Sequence, residues 1–429
     1  MSRRTLLTAV AALLAGTAAQ AQDIAITNAR LVIGDGSDPV ERGTVVVRGG
    51  KVVAAGAGVA VPAGVRSIDA QGKWVTPGLV VAVTDLGLVD VGAVDGSNDS
   101  GADKSPFSAA LDLSSAINPA AQPIAIARAG GVTRAAVAPL GTGSIFAGQG
   151  ALIDLGADPQ PVTRPRAFQY VELGEDGAKL AGGSRIAAQA ALRNALGEAR
   201  EIAALPLGAR RTDVLLTRRD AAALVPVVTG RQPLYIHVER AADIRMALGL
   251  RQEFPALKLV IVGAAEGWMV ARELAAAGVP VLATPLLDLP ASFEQLGATQ
   301  SNVGRMAAAG VRVALGAFFD QPRYAPQYAG NLVALTRVPR ATGLTWNQAF
   351  AAISSGPAEV LGIADLAGSL RPGRAGDVVI WDGDPLEAGS GVVQVFIDGV
   401  DQPLGNHQSR LKDRYASPTE GALPKAYDW

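Results

Sequence analysis

In the stretch LYIHVER, His237 and Glu239 stand two residues apart at the end of an apolar run. Alternate residues of a strand share a face, so the imidazole and the carboxylate project together. Three further carboxylates end similar runs: Glu172 in FQYVEL, Asp85 after LVVAVT, and Asp320 after VRVALGAFF. A histidine among carboxylates is the raw material of general acid–base catalysis. It is also a poor metal site, oxygen-rich with one nitrogen. The plainer reading of the same residues is a retained polar histidine bonded to a carboxylate, with Glu239 and Arg240 forming an ion pair at a rim.

Other chemistries are excluded by what the chain lacks. It has no cysteine, which removes disulfides, zinc–thiolate sites, iron–sulfur clusters and cysteine nucleophiles. It has only two histidines, His237 and His407, so no mechanism needing three imidazoles is available within it. No G-x-S-x-G elbow is present. The glycine-rich run from Gly141 to Gly150 lacks G-x-G-x-x-G spacing and a following lysine, and reads as turns. Ser184 reads as the N-cap of a helix, with Arg185 behind it. The formal net charge of −1 does not indicate a phosphate-binding surface, and no nucleic-acid partner is expected.

These side chains need a scaffold. Residues 1–21, MSRRTLLTAVAALLAGTAAQA, have a basic start, a short apolar run and an A-x-A site, the pattern of a secretory signal peptide, with Arg3-Arg4 hinting at the twin-arginine type. A periplasmic or secreted protein is therefore expected, with no membrane span after cleavage. Residues 22–75 and 365–405 carry short β-branched alternations broken by glycine turns, and each block is too small to bury a sheet alone. They are expected to pair into one composite β-sandwich. From 76 to 364, short apolar runs alternate with Ala-rich helical segments, which favours a (β/α)8 TIM barrel of the α/β class. LVVAV, RAAVAP, FQYVEL, LYIHV, KLVIVG, VPVLA and VRVALG supply seven parallel strands; the eighth is left open. Residues 90–123 and 140–166 read as long irregular loops covering a site, and residues 406–429 as a polar tail holding a solvated His407.

Many segments, in order, resemble the amidohydrolase superfamily, nearest its imidazolonepropionase-like branch. They are NARLVIGDG, VTPGL, IHVERAADI, KLVIVGAAEGWMVARELAAAGVPVL, VRVALG, SSGPAEVLGIADLAGSLRPGRAGDVVIWDGDPL and VFIDG. The resemblance implies a barrel with a composite β-sandwich. It also implies hydrolysis of non-peptide carbon–nitrogen bonds by water activated on zinc or another divalent metal. The chain departs from that pattern where the metal would sit. The two positions of the family's H-x-H correspond to Val83 and Asp85, a further ligand histidine to Gly263, and the catalytic aspartate to Phe318. Of the ligand histidines only His237 remains.

With most ligand positions replaced, no metal cofactor is expected, and ordinary metal-dependent catalysis is not. Three readings stay open. One is a pseudoenzyme that binds a small molecule in the barrel mouth. Another is a metal-independent or weakly metal-dependent amidohydrolase using His237 with Glu172, Asp85 or Glu239. The third is a structural protein without a pocket. Substrate and oligomeric state are not legible.

Overall fold

The computed structural model describes residues 22–206, 212, 214–316 and 321–416. The segment read as a signal peptide, and Phe318 and Asp320, lie outside the described residues.

The first sheet begins with β1 (Ile24–Leu31), β2 (Val40–Arg48), β3 (Lys51–Gly56), β4 (Arg66–Asp69) and β5 (Trp74–Pro77). The barrel strands follow as β6 (Leu79–Thr84), β7 (Val132–Val137), β8 (Phe146–Asp154), β9 (Val162–Glu172), β10 (Leu234–Val238), β11 (Leu259–Gly263), β12 (Val281–Ala283) and β13 (Val313–Leu315). The chain then returns to the first sheet through β14 (Val378–Trp381), β15 (Val392–Ile397) and β16 (Val400–Asp401).

Both blocks outside the barrel join one hydrogen-bonded sheet, in the order β16-β15-β14-β5-β1-β2-β3. β1 pairs with β4 along Ile24–Thr27 and with β5 at Arg30 and Leu31, so the sheet forks there. Alternate residues such as Ile24, Ile26, Val45, Val47, Val378 and Phe396 turn inward and form one core. This layer is welded to the barrel by Arg134 of β7. Its guanidinium donates to both Asp377 oxygens, at 2.7 and 2.9 Å, and pairs with Asp398 at 2.8 Å.

The barrel sheet runs β13-β12-β11-β10-β9-β8-β7-β6. The gap between β13 and β6 is bridged by two adjacent backbone carbonyls: Ala352 accepts from Leu315 N–H at 2.9 Å and Ile353 from Val80 N–H at 3.0 Å. The interior is solid, filled by Val80, Tyr170, Val262, Leu282 and a stacked pair, Phe168 and Tyr235, with ring centroids 4.2 Å apart. Helices such as Arg185–Ala204, capped by Ser184, and Ala241–Glu253 bury their apolar faces against the outside.

Two expectations are corrected. The eighth strand, β8, lies inside the segment read as an irregular loop, and it is antiparallel to both neighbours. Its glycines disguised it, because glycine is depleted in ordinary strands. They are required by close approach: a Cβ on Gly150 would lie 2.1 Å from the Phe168 ring. Residues read as a polar tail include a helix, His407–Ala416, with no buried residue; His407 itself is exposed.

Candidate functional site

Glu172 is the last residue of β9, and His237 lies directly opposite it on β10. That register puts both side chains over the same end of the solid interior. His237 Nδ1 lies 2.6 Å from Glu172 Oε1. One residue beyond β10, Glu239 turns back over the ring, and its Oε1 lies 3.2 Å from His237 Nε2. Glu239 Oε2 accepts from the Ala265 N–H at 2.7 Å. The result is a carboxylate–imidazole–carboxylate trio with both ring nitrogens engaged.

Electrostatics favour the charged ring. Burial alone would push the His237 pKa down, but Glu172 and Glu239 outweigh burial and hold it well above the ordinary imidazole value. Burial works on Glu239 the other way, yet the bonds from His237 and from the Ala265 N–H leave its pKa lowered. The surroundings of the ring thus favour its protonated form, held between the two carboxylates.

A cavity of about 570 Å³ opens over the trio, lined by His237, Glu239, Glu175, Lys179, Phe293 and Glu294 among others. Glu294 is buried and organises the rim. It accepts from the Glu175 N–H at 2.7 Å and pairs with Arg185 at 3.2 Å. Burial raises its pKa against the pull of those donors. Glu266 accepts from the N–H groups of Ala241 and Gly297, at 2.9 and 3.0 Å, and ties the loop bearing Glu294 to the end of β11. Phe293 and Leu296 stand exposed beside the opening, at 82% and 67%.

Of the residues picked from sequence, His237, Glu172 and Glu239 come together. Asp85 lies just past β6, half-buried, and is not one of the two carboxylates on the ring. Arg240 pairs with Asp243 at 3.0 Å rather than with Glu239, because a helical i, i+3 spacing brings that carboxylate round to it. Glu294 and Glu266 were not picked. The one signal for Glu294 was a carboxylate in a long segment following a barrel strand, where site loops gather.

The donor set does not fit the catalytic metal that the resemblance implies. Val83 offers no donor atom, is fully buried, and has a φ of 55°, unusual for a β-branched residue. Gly263 offers no side chain, and its own φ of 86° favours glycine. Both ring nitrogens of His237 are already engaged by carboxylates. Among the described residues, no group of three or more histidines or carboxylates is placed to hold a metal ion.

The sequence model of the amidohydrolase family matches residues 258–401. Over 60 residues, 14% of this chain, the sequence is 42% identical to amidohydrolase tasK of Hapsidospora irregularis, and the match spans 6% of that protein's length. Among solved structures, an amidohydrolase from Thermotoga maritima MSB8 superposes with a TM-score of 0.78 at 25% identity, covering 88% of this chain and 99% of that one. Molinate hydrolase shares the fold, with a TM-score of 0.54 at 18% identity over 96% of this chain and 99% of its own.

Proposed function

Since this chain belongs to the amidohydrolase superfamily but carries an imidazole held between two carboxylates in its barrel mouth, we propose that it is a pseudoenzyme that binds a small cationic molecule there. The observation that carries this reading is the pair of bonds to His237. With Nδ1 held by Glu172 and Nε2 by Glu239, neither ring nitrogen of His237 is left open to ligate a metal or take a proton from water, so the family's hydrolytic chemistry has no ready starting point in it.

Charge names the ligand class. Glu172, Glu239, Glu175, Asp176 and Glu294 surround the opening against His237, Lys179 and Arg185. That excess of carboxylates attracts an ammonium or guanidinium group. The exposed Phe293 and Leu296 suit a ligand with an apolar body. The N-terminal pattern of residues 1–21 supports export, which cell fractionation would test.

The test is metal analysis with ligand screening. Protein purified without chelator, from cells supplied with zinc, iron and manganese, should hold far less than one metal per chain. A panel of alkylammonium compounds should raise its Tm without being consumed, and Glu239→Gln should abolish the rise. Near-stoichiometric metal, or carbon–nitrogen bond hydrolysis that disappears in His237→Gln, would overturn the proposal.

A further inference from the structure

The opposite end of the barrel carries the opposite charge. A cavity of about 570 Å³ opens where β9 to β13 begin, and its wall includes Arg164, Arg166, Arg231, Arg251, Lys258 and Arg312. Among the described residues, its one carboxylate residue is Glu359. A second cavity, of about 890 Å³, shares Pro165, Arg166, Arg231 and Gln232 with it. Arg219 also lines this second cavity, but the wall beyond the shared residues is largely apolar, with Phe107, Leu111, Ala222 and Pro226. The two form one groove, basic at one end and apolar at the other.

Part of this charge has a structural explanation. Arg251 and Arg312 donate to the carbonyls of Ala277 and Gly278, where a helix ends, and Arg166 lies 3.5 Å from Asp112. Arg164, Arg219, Arg231 and Lys258 have no carboxylate partner among the described residues. In a chain whose charges nearly balance, such segregation creates a local positive field.

A separate observation marks the junction of the two cavities. Gln149, Gln169 and Gln232 are buried, at 6%, 0% and 5% exposure. Gln149 and Gln169 face each other across β8 and β9, and Gln232 donates to Gln149 Oε1 at 3.3 Å and to the Arg166 carbonyl at 2.8 Å. Gln232 lines both cavities, and its Oε1 has no partner. Buried amides are nearly always satisfied, so this oxygen at the groove asks for an occupant that donates a hydrogen bond.

We propose that this groove binds an anionic amphiphile: a small molecule with carboxylates at the Arg231–Lys258 end, a hydrogen-bonding group at Gln232 and an apolar chain between Phe107 and Pro226. The site lies at the far end of the barrel from His237 and does not depend on the reading given to that residue.

N-Hexanoyl-glutamate serves as the probe, since it joins two carboxylates, an amide and a short chain; free glutamate is its control. Isothermal titration of the full chain should show one site for the probe, weaker by about tenfold or more for glutamate and weakening with salt. Arg231→Glu should weaken probe binding by about tenfold or more. Lys258→Glu does the same at a second position, should the first variant fail to fold. Binding that ignores both reversals would overturn the proposal. So would equal affinity for glutamate and the probe, or association with phosphatidylglycerol vesicles when the soluble probe does not bind.

Discussion

The carboxylate of Glu239 fills the space into which a side chain on Gly263 would grow: an added Cβ would lie 2.8 Å from Oε1 and 2.9 Å from Oε2. The absence of a side chain at 263 and the placement of the Glu239 carboxylate over His237 are thus sterically linked. Gly263→Ala should lower stability by about 1–3 kcal/mol, from its left-handed φ and the displaced carboxylate together. Gly263→His should not gain zinc. Denaturant titration and metal analysis check both, and a well-folded Gly263→His variant with one bound zinc would refute the account.

His237 sets a pH dependence of definite sign. Its folded pKa is raised, so its pairing with Glu172 and Glu239 stabilises the protein fully below the unfolded value near 6.5 and is lost as pH rises through the folded value. Glu239, with a lowered pKa, contributes above its unfolded value of 4.5 and loses that contribution as pH falls through the folded value. Nitrogen NMR of the imidazole should show both ring nitrogens still protonated above pH 6.5, where a free imidazole has lost its proton. In His237→Gln, unfolding free energy should lose its decline above neutral pH.

Gly150 should tolerate no side chain. The Phe168 ring crosses it and stacks on Tyr235, so Gly150→Ala drives a methyl into the barrel interior. A loss of about 1–3 kcal/mol is expected, with recovery when Phe168→Leu is added, because the two sites share one clash. Additive losses in thermal unfolding would show that the ring is not the obstacle.

Arg134→Leu should be severe. It strands Asp377, whose side chain is 3% exposed, at a loss of about 3–5 kcal/mol. Replacing Asp377 by leucine as well should restore only part of it, since the buried Asp154, 3.9 Å from the Arg134 guanidinium, and Asp398 lose the same partner. Urea titration of both variants and the double mutant measures the coupling.

The barrel was largely legible because strands buried on both faces read as unbroken apolar runs, as in LYIHV and KLVIVG. Strand β8 was not, since its glycines answer to Phe168 and Leu111, contacts that no local pattern records. In the site, His237, Glu172 and Glu239 were legible because strand ends and alternate residues converge on one mouth. Glu294 and the meeting of Glu239 with Gly263 were not. Both depend on how separate βα loops pack, which neither periodicity nor spacing encodes.

The bonds joining β5 to β14, and Val80 to Ile353, bear on how the molecule is made. Thr76 lies beside Val379, so it leaves the ribosome long before its neighbour exists. The same holds for Val80 and Ile353. A nascent chain halted within the barrel helices would present an unpaired strand edge in each layer, a template for aggregation. Neither layer can therefore be completed before residues beyond Ile353 and Val379 have emerged, although β1 to β3 and the successive barrel strands pair with neighbours close in sequence.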